Sequence, residues 1–186
     1  MNFWVVSVSN FATLTEEEER ELLRLSRLYW KEALRCEEAG AYVAGCVMLG
    51  SVLEAMLTLM VNCYDDQAAL TGHAPMKAGR IRPLLDWSLA DLLKVAKAAN
   101  WLPAGLALDD NWNSRLAKVG DYAEVIRMIR NLLHPARYAK DHFRGRVTKK
   151  YLQRQFEFLE LCRGWLAHHN NESLLRHMKE KETAGS

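Results

Sequence analysis

Apolar residues recur at helical spacing along most of the chain, and the first run of them predicts an amphipathic helix. Leucines at 22, 25 and 28 fall on one face of this helix, which we expect to run from Thr15 to about Cys36. Thr15 and Glu18 have the spacing of a capping box, in which each side chain accepts a hydrogen bond from the backbone amide of the other. The helix therefore begins at Thr15 and ends before Gly40.

A second helix is predicted from Ala41 to about Asn62, and it is apolar on every side. Its sequence, AYVAGCVMLGSVLEAMLTLMV, is long enough to span a membrane. Glu54 lies near its centre, however, and no basic cluster flanks its ends, which argues against a membrane span. We therefore expect no membrane association and a buried central helix, which forms an antiparallel hairpin with the first helix.

The remaining pattern alternates loops with helices. Residues 64–87 contain Gly72, Pro75, Gly79 and Pro83 and predict a long loop with a turn of helix. A second capping box opens a helix that should run from residue 88 to about 99. The next helix should start within 110–115 and end at Leu133. A last long helix should follow from Thr148 to about His168, and a short polar helix should come after it.

These elements predict an all-α protein, an antiparallel helical bundle of four to five main helices with a short C-terminal helix. With 186 residues the chain is long enough for one ordinary domain, so we expect a single domain over 1–186. Residues 1–14 are expected to be an extended segment on the bundle, with Phe3 to Val8 as the one convincing strand. Residues 178–186 are expected to be a flexible tail.

Cysteine spacing excludes several kinds of site. The four cysteines at 36, 46, 63 and 162 are at least ten positions apart, so neither a zinc-ligand nor a Cys-x-x-Cys spacing is present. We expect free thiols, no metal and no cofactor. The N-terminus has no Lys or Arg before its short apolar run and so fails as a secretory signal. The expected location is the cytoplasm.

Charge is distributed unevenly although the net charge is only +2. Residues 127–154 contain nine basic residues and one acid, Asp141, which leaves 16 of the 25 basic and 22 of the 23 acidic residues for the rest of the chain. Such asymmetry is typical of a surface that binds phosphates, and a solvated basic loop is the alternative. The nucleic-acid-binding candidates are Arg137, Lys140, Arg144, Arg146, Lys149 and Lys150.

Candidate chemistry is concentrated in the sequence IRNLLHPARY at 129–138. Arg127, Arg130, Asn131 and His134 are spaced i, i+3, i+4 and i+7, which places them on one face of a helix. An arginine offers donors that match phosphate oxygens, and a histidine titrates near neutrality. Together they have the chemistry for RNA cleavage without a metal, with His134 as the proton-transfer group.

The same residues can also be interpreted as a structural contact within the bundle. Glu54 lies in the middle of an apolar helix, and a buried carboxylate needs a charged or hydrogen-bonding partner. Arg130 and Arg127 are the candidates for an ion pair with it. In that case the RNLLHP motif holds the bundle together.

The order of motifs resembles the HEPN superfamily of helical domains. The resemblance rests on GSVLEAML at 50–57, a helix ending in WLP, a helix ending in RNLLHP and a closing helix opened by a threonine. It covers roughly Ala41 to Trp165. It implies a bundle of four or five helices that pairs as a twofold homodimer, with two polar edges facing one cleft.

Many HEPN domains are metal-independent ribonucleases of toxin–antitoxin, phage-defence and RNA-processing systems. The resemblance implies catalytic roles for Arg130, Asn131 and His134, with RNA as substrate and an antitoxin or other protein as partner. The usual motif places four to six residues between arginine and histidine, whereas three separate Arg130 from His134 and six separate Arg127 from it. The first hypothesis is therefore a dimeric HEPN-like ribonuclease. The second is a non-catalytic assembly module that binds nucleic acid, a nucleotide or a protein.

Overall fold

A computed structural model describes residues 14–106, 115–131 and 147–184, with side chains up to residue 172. In these residues the secondary structure is helical apart from one small hairpin, and the prediction of an all-α helical bundle is confirmed. The described elements are α1 (Glu16–Glu38), α2 (Tyr42–Cys63), α3 (Asp65–Leu70), β1 (Met76–Lys77), β2 (Arg80–Ile81), a 3-10 turn (Leu84–Asp86), α4 (Leu89–Ala98), α5 (Val119–Asn131) and α6 (Lys149–Ala184).

The helices α1 and α2 form the predicted antiparallel hairpin. The capping box is present at the start of α1, where the amide of Glu18 donates to the Thr15 hydroxyl and the amide of Thr15 donates to the Glu18 carboxylate. Gly40 has a φ of +72°, a left-handed conformation that suits glycine at a sharp reversal. At the other end the amide of Leu14 donates to Oδ1 of Asn62 at 2.8 Å, so the start of α1 lies beside the end of α2.

The central helix of the bundle is α2, as its apolar sequence predicts. It contacts α1, α4, α5 and α6, and twelve of its residues are buried. By length and composition alone α2 could cross a membrane, and the core helix of a soluble protein meets the same criterion. Most buried apolar residues of the described chain form one cluster around α2, and Trp101 is its largest fully buried side chain.

The segment 64–87 is more ordered than the predicted loop. It contains α3 and a hairpin in which Met76 pairs with Ile81 and Lys77 with Arg80. Ala78 and Gly79 form the two-residue turn, with φ values of 51° and 76°. The expectation that no strand lies beyond Phe3 to Val8 was therefore wrong, because a two-residue turn of positive φ is enough to close a very short hairpin.

The start of α5 also differs from the prediction, since the helix begins at Val119 and residues 115–118 are not helical. The cause is Asp121, whose buried carboxylate accepts hydrogen bonds from the amides of Lys118, Gly105 and Leu106. The chain before Val119 is thereby held as a loop. The predicted stretch 110–114 and the predicted end at Leu133 lie outside the described residues.

The last helix is longer than predicted. Thr148 opens it as expected, and its hydroxyl accepts a hydrogen bond from the amide of Tyr151. The predicted break near His168 is absent, because α6 continues to Ala184 as one helix. The prediction of a separate short C-terminal helix was wrong, since no proline or glycine interrupts residues 165–184. The flexible tail expected over residues 178–186 stays a prediction. An extended segment was predicted over residues 1–14, and its first 13 residues lie outside the described part of the chain.

Candidate functional site

Two hydrogen bonds between charged groups join Arg130 of α5 to Glu54 of α2. Nη1 of Arg130 donates to Oε1 of Glu54 at 2.8 Å, and Nη2 donates to Oε2 at 2.6 Å. This is the parallel, two-bond geometry in which an arginine and a carboxylate interact most strongly. The side chains are 30% and 27% exposed, so the pair lies at the edge of the core and still meets solvent.

Gly50 makes room for the arginine that forms this pair. A Cβ added at Gly50 would lie 2.8 Å from Cβ and 2.9 Å from Cδ of Arg130, closer than carbon atoms pack. Gly50 and Glu54 are four residues apart on α2 and therefore share a helix face. The aliphatic stem of Arg130 thus crosses α2 at Gly50 and its head reaches Glu54 one turn further on.

A cavity of about 290 Å³ opens over the ion pair. Its polar lining residues are Glu54, Arg130, Ser51 and Thr58, and the hydroxyls of the last two donate to the backbone carbonyls of Val47 and Glu54. Its other lining residues are mostly apolar and come from α1, α2 and the segment after the hairpin. They are Leu22, Leu25, Tyr29, Ala55, Leu84, Leu85 and Trp87.

Arg127 is bound to a different carboxylate, on the side of α5 that faces α4. Nε of Arg127 donates to Oε2 of Glu124 at 2.5 Å, and Nζ of Lys97 donates to Oε1 at 2.5 Å. Burial raises the pKa of Glu124, but the hydrogen bonds from Lys97 and Arg127 outweigh burial and lower the pKa overall. The three side chains are at most 20% exposed, so this is a partly buried triad of charges.

The structure therefore does not bring the two motif arginines to one shared anion site. Arg130 turns to α2 and Arg127 turns toward α4, although both leave α5 within one turn. Asn131 is the last residue of α5 and is half-buried. Lys149 and Lys150 are exposed in the first turn of α6. His134 and the basic residues Arg137, Lys140, Arg144 and Arg146 lie outside the described residues.

These ion pairs reduce the number of basic charges in residues 127–154 that can attract a polyanion. Two of its nine basic residues, Arg127 and Arg130, are neutralised by acids that lie outside the segment. The electrostatic attraction of residues 127–154 for a polyanion must come from the other seven. Among these, Lys149, Lys150 and Arg154 are exposed on α6.

Several residues of the site had no assigned role in the sequence reasoning. Gly50 precedes Glu54 by four positions on α2, and this spacing is a usable signal for a crossing point. Glu124 precedes Arg127 by three positions, which is the spacing of an ion pair along a helix. Lys97 gives no such signal, because its partner Glu124 comes from a distant part of the sequence.

In the described part of the chain, no group of three or more His, Cys, Asp or Glu side chains is placed to hold a metal ion. All four cysteines are free thiols. Comparison of the chain with protein-family models, with curated proteins and with solved structures finds no match.

Proposed function

We propose that this protein is a non-catalytic assembly module, a helical bundle that acts by binding another macromolecule and whose RNLLHP motif is structural. One observation carries the proposal: both terminal nitrogens of Arg130 are bound by Glu54 within the α2–α5 interface. An arginine that stabilises a phosphoryl group needs those donors for the phosphate oxygens. Here Glu54 already occupies one donor on each terminal nitrogen and neutralises the charge of the guanidinium.

The packing supports the same conclusion. Gly50 leaves space for the stem of Arg130, so the position of the side chain is determined by the interface on which it lies. Arg127, the arginine whose spacing to His134 fits the usual motif, is bound to Glu124. Each motif arginine therefore has a structural partner within the bundle.

The structural role is tested by a double-mutant cycle on the ion pair. Glu54→Gln and Arg130→Met keep side-chain size, and the methionine retains an apolar stem over Gly50. Each single change leaves a half-buried polar group without its partner, so we expect each to lower the free energy of unfolding by about 1–3 kcal/mol. The double variant should lose clearly less than the sum of the two, which urea denaturation would measure.

The absence of catalysis is tested with RNA. Purified wild-type protein should leave structured and single-stranded RNA uncut in the presence of EDTA, conditions in which a metal-independent ribonuclease stays active. Cleavage that disappears in both His134→Ala and Arg130→Met, with thermal unfolding of His134→Ala unchanged, would contradict the proposal and establish the enzyme.

A dimeric HEPN-like ribonuclease of a toxin–antitoxin or phage-defence system is the second candidate. The observation in its favour is that the Arg130–Glu54 pair faces a cavity and is not sealed, so part of the guanidinium reaches solvent. Both candidate functions are compatible with RNA binding by residues 127–154. Binding that weakens steeply with salt but gives no cleavage products favours the assembly module.

A further inference from the structure

The cavity over the Glu54–Arg130 pair combines two kinds of surface. Leucines and a tryptophan supply most of its apolar lining, with Leu22 and Leu25 on α1 and Leu84, Leu85 and Trp87 after the hairpin. The ion pair supplies its charged lining. Its volume of about 290 Å³ is close to the lower end of small-molecule sites, which begin at roughly 300 Å³. The cavity is thus matched to a small ligand with one apolar and one polar end.

The ion pair keeps hydrogen-bonding capacity on its cavity side. A guanidinium has five N–H donors, and Arg130 uses one on each terminal nitrogen to bind Glu54. Each Glu54 oxygen accepts one of these bonds and has a further lone pair. Both side chains line the cavity and are more than a quarter exposed, so we expect their unused donors and acceptors to face it side by side.

The charge balance selects the class of ligand. The pair has no net charge, so a ligand with a single charge would leave that charge uncompensated against an apolar wall, which is unfavourable. A zwitterion with adjacent ammonium and carboxylate groups avoids this cost. Its ammonium can donate to Glu54 and its carboxylate can accept from Arg130, so that four charges alternate and the protein's own pair stays intact.

We propose that this cavity binds a free α-amino acid with an apolar side chain, for which leucine and phenylalanine are the test ligands. The main-chain groups of the ligand face Glu54 and Arg130, and its side chain packs on Leu25 and Leu85. The inference goes beyond the assembly role and does not depend on it, because a ribonuclease with this fold would have the same cavity.

Ligand binding is measured by isothermal titration calorimetry and thermal unfolding of the full chain. Leucine should bind with one molecule per chain and raise the melting temperature. Isocaproate, which has only the carboxylate, isopentylamine, which has only the ammonium, and glycine, which has no side chain, should each bind about tenfold more weakly or worse. If isocaproate binds as tightly as leucine, or if no apolar amino acid gives heat or a thermal shift, the proposal is overturned.

Two variants locate the site. Ala55→Leu fills the cavity from α2 and should abolish leucine binding. Leu85→Ala removes a wall residue that is 53% exposed, so the fold should persist while leucine binds roughly tenfold more weakly. Leu70→Ala, at a leucine that is 87% exposed and does not line the cavity, is the matched control and should bind as the wild type does. Leucine affinity that is unchanged in Leu85→Ala would place the ligand elsewhere and overturn the assignment.

Discussion

Gly50 and Arg130 are fitted to each other across the α2–α5 interface. A Cβ added at residue 50 would lie 2.8 Å from Cβ and 2.9 Å from Cδ of Arg130, too close for carbon atoms in contact. Because Cβ is the rigid base of the arginine side chain, rotation of its far end cannot relieve the contact. The ion pair with Glu54 therefore depends on the absence of a side chain one helical turn earlier.

Replacing Gly50 with alanine tests this fit. Alanine favours a helix by about 1 kcal/mol over glycine, but the overlap with Arg130 should cost about 1–3 kcal/mol. The net result should be a fall of up to about 2 kcal/mol in the free energy of unfolding, together with a displacement of α5 that weakens the Arg130–Glu54 contact. Chemical denaturation measures the first effect.

Gly164 provides the matched control for Gly50. It also lies inside a helix, yet an added Cβ would meet no atom within 4 Å. Gly164→Ala should therefore raise stability by up to about 1 kcal/mol through helix propensity alone. Equal, positive effects of the two substitutions would show that Gly50 has no packing role.

The helices could be predicted from the sequence because their signals are local. Thr15 with Glu18 and Ser88 with Asp91 fix helix starts by contacts three residues apart, and both capping boxes are present. The start of α5 could not be predicted in this way. The amide of Lys118 donates to Asp121 three residues on, but lysine lacks the side-chain acceptor of a capping box. The other bonds of Asp121, from the amides of Gly105 and Leu106, join it to a distant part of the chain and leave no periodic pattern.

The candidate site was predictable only in part for the same reason. The sequence left Glu54 with two arginine partners. Which of them binds it depends on where α5 crosses α2, and Gly50 leaves the space that the stem of Arg130 occupies there. The bond from Lys97 to Glu124 depends on how α4 packs on α5. Neither crossing angle is encoded in the helical periodicity of one segment.

The loop before α5 should be sensitive to Asp121. Its carboxylate, in a residue that is 6% exposed, accepts from the amides of Gly105 and Lys118 at 2.7 Å and from that of Leu106 at 3.3 Å. Asp121→Ala leaves these amides without an acceptor and should cost about 2–4 kcal/mol of stability. Asp121→Asn keeps one acceptor oxygen and should cost less. Thermal unfolding that ranks the two variants in the opposite order would contradict this account.

Thiol reactivity should separate the buried from the exposed cysteines. Burial raises the pKa of Cys46 and Cys162 to about 12, so almost no thiolate is present near neutral pH. Cys63 is exposed, although partial burial and the charge of Glu19 also raise its pKa. Iodoacetamide should modify Cys63 in the folded protein and reach Cys46 and Cys162 only after unfolding. Peptide mapping by mass spectrometry distinguishes the sites, and early labelling of Cys46 would be incompatible with the packing of α2.

The triad of Lys97, Glu124 and Arg127 should make stability depend on pH in the acid range. The pKa of Glu124 is lowered in the folded protein from its ordinary value of 4.5. A carboxyl with a lowered folded pKa contributes its full stabilisation above the unfolded pKa and loses it as the pH falls through the folded value. Wild-type protein should therefore lose this contribution as the pH falls below 4.5.

Glu124→Gln isolates the contribution of the triad to this pH dependence. Glutamine keeps an acceptor for one neighbour but cannot ionise, so the variant should be less stable than wild type at neutral pH. The difference between the two proteins should shrink as the pH falls below 4.5, because the wild-type carboxyl becomes protonated there. Urea denaturation of both proteins over this range measures the difference. A gap that stays constant down to the acid limit would mean that the bonds from Lys97 and Arg127 do not stabilise the charged form of Glu124.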